Sequence, residues 1–199
     1  MAAAALVLYL VWFLAAFGLR TAIQLRRTGD SGFRGLGGRP GSLEWSAGVL
    51  FTVALLIGVA APVTALAGLD PVAALDVAWL AWTGVALASI GVAATLGAQL
   101  SMGDSWRVGV DETERTSLVT GGAFELVRNP IFSAMLLTAV GLSLMVPNVL
   151  AIVGLTALIA ALELQVRGVE EPYLTSVHGD SYVSYRQRVG RFVPGVGRR

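Results

Sequence analysis

Five stretches of this chain are so poor in charge that most of its length has little choice of surroundings. Met1 to Leu19 holds no charged side chain, and the further apolar stretches are Trp45 to Leu69, Val72 to Leu100, Ile131 to Val146 and Val149 to Leu164. In hydrocarbon every backbone N–H and C=O must be satisfied within the protein, which leaves helices or closed barrels. Long uninterrupted runs without polar alternation select helices. The expected fold is an all-α membrane protein with five transmembrane helices and no Rossmann domain. The chain divides into two parts: residues 1–100, three spans with an inner loop at about 26–44, and residues 101–199, the catalytic region.

The first span lacks the basic start of a cleavable signal, so it reads as a retained helix reaching about Leu25. Pro62 is placed to kink the second. In the third, Ala88, Gly91 and Thr95 recur at a spacing that lets a neighbouring helix approach closely. The last two stretches are joined only by Pro147-Asn148, and each spans about 24 Å against a hydrocarbon core of about 30 Å. They read as a short helical hairpin, 131–166, sunk toward one side of the membrane and followed by a helical tail.

Orientation comes from the arginines. All fourteen basic residues are Arg, and they fall in Arg20 to Glu44, Leu100 to Pro130 and the tail from Arg167, never at Asp70-Pro71 or Pro147-Asn148. Counted by the positive-inside rule, the amino terminus lies outside and the tail in the cytoplasm. Arginine in place of lysine, with abundant Ala, Gly and Val, suggests a bacterial inner membrane. Only 14% of residues are charged and 55% are hydrophobic, so there is no broad basic surface for nucleic acid.

The chain has no Cys and one His. A thiol nucleophile, disulfides and a histidine metal cluster are excluded, and no metal is expected. Chemistry in such a chain depends on a cofactor that arrives activated. Several polar features have plain readings. The stretch Arg34 to Gly41 (R-G-L-G-G-R-P-G) follows no strand and lacks the Lys-Ser/Thr of a phosphate loop. Asp76 is interfacial, Trp106 and Arg107 anchor at the interface, and His178 lies on a surface turn before Gly179. Arg198 and Arg199 form a solvated end near anionic lipid.

The charged residues near the end of the fifth run are harder to treat as scenery. Glu163, Arg167 and Glu170 are spaced to share one helical face, and Glu163 and Arg167 can pair. Glu170 and Glu171 are adjacent carboxylates at an apolar boundary, which calls for a cationic or hydroxyl-rich partner. Arg128, the tail residues Arg186, Arg188 and Arg191, or a ligand can supply one.

The ordered set Gly122-x-Phe124, Val127-Arg128-Asn129-Pro130, apolar hairpin, Arg167-x-x-Glu170-Glu171-x-x-Leu174, Gly179-x-x-Tyr182-x-x-Tyr185, Arg191-x-x-Pro194 resembles the isoprenylcysteine carboxyl methyltransferase family, with its phospholipid N-methyltransferase relatives. The resemblance covers about Met102 to Pro194. It implies a membrane methyltransferase that uses S-adenosylmethionine (SAM), bound on the cytoplasmic side. Carried over by position, it implies cofactor contacts from Gly122, Phe124, Arg128, Asn129, Pro130, Glu170, Glu171, Tyr182 and Tyr185, with Arg128, Asn129 and Arg167 nearest the chemistry. Ala123, Phe124 and Asn129 stand where the family has Pro, Tyr and His. Asn129 still makes hydrogen bonds but does not titrate near pH 7.

These residues suit the parts of SAM: carboxylates for its ammonium or ribose hydroxyls, and a guanidinium fork at Arg128 or Arg167 for its carboxylate. With no evident general base, the expected acceptor is the carboxylate, or second the thiol, of a lipophilic molecule whose head reaches Arg128 and Arg167. An NADPH-dependent sterol or enone reductase has a similar tail, but would favour basic residues where Glu170 and Glu171 stand. A non-catalytic scaffold explains the helices but not the gathered charges.

Overall fold

The computed structural model describes residues 1–32, 35, 37–103 and 118–198. Arg34, Trp106, Arg107, the acids Asp111, Glu112 and Glu114, and Arg199 lie outside the described residues. Among those described the chain is helical, with no strand and one isolated bridge between Val127 and Gly190. Helix α1 is Ala2–Thr28, α2 Leu43–Leu66, α3 Ala78–Ser101, α4 the single turn Ala123–Leu126, α5 Pro130–Met145, α6 Val149–His178 and α7 Asp180–Arg188. Helices α1, α2, α3 and α6 are long and apolar enough to cross a membrane, whereas α5 is shorter. The protein is an integral membrane protein.

The boundaries follow local chemistry. Ser42 caps α2, its hydroxyl accepting from the Trp45 amide, which satisfies one of the donors left over at a helix start. Pro62 is buried inside α2. Helix α3 begins later than the apolar run, because Val72 to Val77 is spent on a 3₁₀ turn and extended backbone. Asp76 in that turn is exposed, and Trp79 and Trp82 point outward at 65% and 66% exposure, as interfacial tryptophans do.

The apolar helices sort into two tight pairs, α3 with α5 and α2 with α6. The first pair explains the small residues of α3. A Cβ on Gly91 would run into Thr138 of α5, and one on Gly141 would run into the backbone of Ala88. Ala88 and Thr95 are fully buried in the same seam. Lipid gives no hydrophobic drive for helices to associate, so close backbone approach and its dispersion contacts carry the pairing.

The hairpin differs from expectation in two ways. Its arms pack more extensively on α3 and α2 than on each other. Its second arm also does not stop at the charges: α6 runs on for 30 residues through a π-helical stretch, Val166–Glu170. The turn between the arms is fixed by Asn148, fully buried, whose amide donates to Ala61 O at 2.9 Å and accepts from the Ala151 amide. A second π-helical stretch, Leu14–Leu19, interrupts α1. There the regular ladder is loosened, and Gln99 of α3 donates to Ala16 O at 3.0 Å while Trp12 donates to Thr95.

This packing makes a paired forecast. Gly141→Val should lower stability in detergent by about 1–3 kcal/mol, the usual cost of overpacking, whereas Gly97→Ala, with open space around it, should leave the unfolding midpoint unchanged or raise it. Equal behaviour of the two variants would remove the close-approach account.

Candidate functional site

The motif residues from Gly122 to Ser133 and the tail from Asp180 to Gly197 fold against each other as a clasp. Gly122 adopts φ 63°, a conformation open chiefly to glycine, and starts α4. The chain then runs extended at Val127 and pairs with the tail: Arg128 N–H donates to Gly190 O at 2.8 Å and Asn129 N–H to Arg191 O at 3.1 Å. Side chains repeat the connection. Asn129 Nδ2 donates to Arg191 O, Ser133 Oγ to Phe192 O at 2.7 Å, and Tyr185 Oη to Phe124 O at 2.6 Å. The Asn at the family's His position thus holds the tail.

At the centre of the clasp lies one carboxylate between two guanidiniums. Arg128 Nη2 donates to Glu171 Oε1 at 2.8 Å, and Arg191 donates from Nε to Oε1 at 2.6 Å and from Nη2 to Oε2 at 3.0 Å. The Arg128, Arg191 and Glu171 side chains are only 2%, 5% and 11% exposed. Arg128 Nη1 also donates to the carbonyls of Arg186 and Val189, and Nη2 reaches Gly197 O at 3.3 Å. Its Nε is buried with no partner among the described residues. The hydrogen bonds to Glu171 raise the Arg191 pKa above the usual guanidinium range. Tyr182 and Tyr185 pack behind this group, and burial pushes both phenols up to about 12, helped at Tyr182 by the Glu171 charge. They therefore stay hydrogen-bond donors at physiological pH.

The π-helical stretch before Glu171 sets which charges face inward. A regular helix would align Glu163, Arg167 and Glu170 on one face, but the wider turn rotates the residues beyond it. Arg167 and Glu163 pair with each other on the outside, their side chains 50% and 37% exposed. Glu171 turns into the clasp instead, and Glu170, which accepts from Gln165 at 3.3 Å, faces a cavity.

That cavity measures about 650 Å³, within the roughly 300–1,000 Å³ usual for small-molecule sites. Phe124, Arg128, Asn129, Pro130, Glu170, Glu171, Tyr182 and Tyr185 line it; Gly122 and Arg167 do not. Where α1, α2 and α5 form the wall it is apolar, with Phe13, Phe17, Phe51, Leu55 and Met135. Sequence reasoning missed this N-terminal contribution, since those helices carry no motif. It also placed His178 on a surface turn. The structure instead leaves His178 half-buried at the end of α6 and in the cavity wall. Because α6 stays helical past the apolar run, His178 stays beside Leu174 on the inner side.

A sequence model of the phospholipid methyltransferase family matches residues 79–181, just over half of the chain. The chain belongs to the phospholipid methyltransferase family. Within this family's broader kin, it is similar to protein-S-isoprenylcysteine O-methyltransferase B of Arabidopsis thaliana, 28% identical over 120 residues, covering 59% of this chain and 61% of that protein. The fold is similar to the eukaryotic intramembrane Ras methyltransferase ICMT (isoprenylcysteine carboxyl methyltransferase), with a TM-score of 0.57, 21% identity and coverage of 90% of this chain and 61% of that one. The chain therefore spans about three fifths of the length of each. The family match ends at residue 181, so Tyr182, Tyr185 and Arg191, half of the clasp, lie beyond it.

The two adjacent glutamates should separate on mutation. Glu171→Ala leaves two buried guanidiniums without their carboxylate, and should cost about 3–5 kcal/mol of stability with no ligand present. Glu170→Ala should change stability little. Denaturant unfolding of both variants checks this, and equal losses would contradict the division between them.

Proposed function

We propose that this protein is an S-adenosylmethionine-dependent methyltransferase acting on a lipophilic acceptor, with its site in the cavity beside the clasp. The observation that carries the reading is one cavity whose wall combines Glu170, Arg128 and two buried tyrosines with the apolar faces of α1, α2 and α5. The residues present fit the cofactor. A carboxylate at Glu170 suits its ammonium or ribose hydroxyls, and the guanidinium of Arg128, whose Nε–H has no partner among the described residues, suits its carboxylate. Bound there, SAM supplies an electrophilic methyl group. The chain's own task is placement: Arg128, Asn129 and the tyrosines fix the wall, and the apolar helices exclude water and take the acceptor's tail. Holding the reacting atoms at about 3–3.5 Å and in line supplies most of the rate.

For the acceptor atom we favour a carboxylate, then a thiol. A carboxylate is already a nucleophile at pH 7 and needs no base, and the name of the Arabidopsis relative, an O-methyltransferase, agrees. Arg167, outside the cavity, drops out as a seat for the acceptor's head. The second reading is an amine acceptor, favoured by His178 in the cavity wall, where an imidazole can take the amine's proton. The proposal includes five crossings, α5 among them, and a cytoplasmic cavity in a bacterial inner membrane, as the arginine distribution suggests.

One experiment tests these points together. Methyl-labelled SAM, which does not cross membranes, is added to sealed inside-out and right-side-out vesicles containing the protein, and the lipid-soluble product is identified. Labelled ester in inside-out vesicles only is expected. N-methylated product would select the second reading, labelling of right-side-out vesicles alone would reverse the orientation, and no labelling or binding of SAM would overturn the function.

A further inference from the structure

The family match begins at residue 79, yet part of the cavity wall comes from the amino end of α2, where Glu44 sits beside the glycine-rich stretch read as a plain loop. Glu44 is half-buried in the first turn of α2 and lines the same cavity as Glu170 and Tyr182. We propose that Glu44 is a ligand-binding residue of this cavity and takes the cationic part of the bound cofactor, its sulfonium or its ammonium.

Three observations support this. First, the carboxylate is placed by its surroundings. A Cβ on Gly37 would run into Glu44 Oε1, and one on Gly38 would come within 3.1 Å of Oε2, so two glycines leave the room the carboxylate occupies. Second, Glu44 makes no hydrogen bond or ion pair among the described residues, whereas Glu171 in the same wall has both Arg128 and Arg191. A carboxylate facing a partly enclosed cavity loses hydration and is stabilised there by an arriving cation. Third, Arg128 lines the same cavity as Glu44, so a guanidinium and a carboxylate with no partner among the described residues border a single space. A zwitterion with an added positive centre matches both, and SAM has that charge pattern.

The inference rests on the proposed cofactor, and the two can fail separately. The full chain in lipid nanodiscs is titrated by calorimetry with SAM and with S-adenosylhomocysteine, which lacks the sulfonium charge. Absence of SAM binding by the unmodified protein would remove the functional reading itself. If that protein binds SAM, Glu44→Gln is expected to weaken SAM about tenfold or more, the scale of a lost charge-assisted hydrogen bond. Loss for SAM alone assigns the sulfonium, and equal loss for both ligands assigns the ammonium. Gly37→Ala, which keeps every charge but pushes the carboxylate aside, should weaken SAM in the same direction and serves if Glu44→Gln does not fold. Unchanged affinities in the folded variants would overturn the proposal and leave Glu44 as a favourable charge at a helix amino end.

Discussion

The Glu171 carboxylate, held between Arg128 and Arg191, is the contact on which the polar end of this structure depends. It joins three segments far apart in sequence: the motif before α5, the end of α6 and the tail after α7. Burying three charges is expensive unless each is paired and its remaining donors are used, and here backbone carbonyls of Arg186, Val189 and Gly197 take the Nη donors that Arg128 does not spend on Glu171. The network needs the tail's chain path, because the carbonyls it uses belong to the turns around Val189 and Gly197. Shape and charge are therefore set by the same residues.

Deeper in, the controlling constraint is different. Helices α3 and α5 meet through Gly84, Ala88, Gly91 and Gly141 at backbone distance, and Asn148 ties the following turn to α2. These contacts fix where α6 starts, and hence where its far end delivers Glu170, Glu171 and His178. The π-helical stretch at Val166–Glu170 then decides which of the closely spaced charges points into the cavity. Packing in the lipid-facing part thus sets the register of the polar part.

Much of this was legible in the sequence, for physical reasons. Apolar runs and arginine placement expose the helices, and the small residues at Ala88, Gly91 and Thr95 correctly marked a close helix contact. Most of the site residues that the ordered motif picked out line the cavity, Gly122 and Arg167 excepted. The features that were not legible depended on geometry with no sequence mark. A π-helical turn has no simple composition, so Arg167 was grouped with Glu170 although the two face apart. The tail arginines were all candidates to neutralise the glutamates, and nothing in the spacing singled out Arg191. Continuation of α6 past its apolar run brought His178 inward, and the walls given by Phe13, Phe51 and Glu44 come from helices that carry no motif.

The central claim is that the cavity beside the clasp is where the cofactor binds. Hydrogen exchange measured by mass spectrometry on the full chain in nanodiscs, with and without saturating SAM, tests it most directly, because ligand binding raises protection where it bridges elements. The account predicts added protection at 128–133, 165–178 and 182–192, with a smaller effect at 42–52, and none at 72–85 on the far side. Protection centred elsewhere, or SAM binding that leaves the clasp segments unchanged, would contradict it.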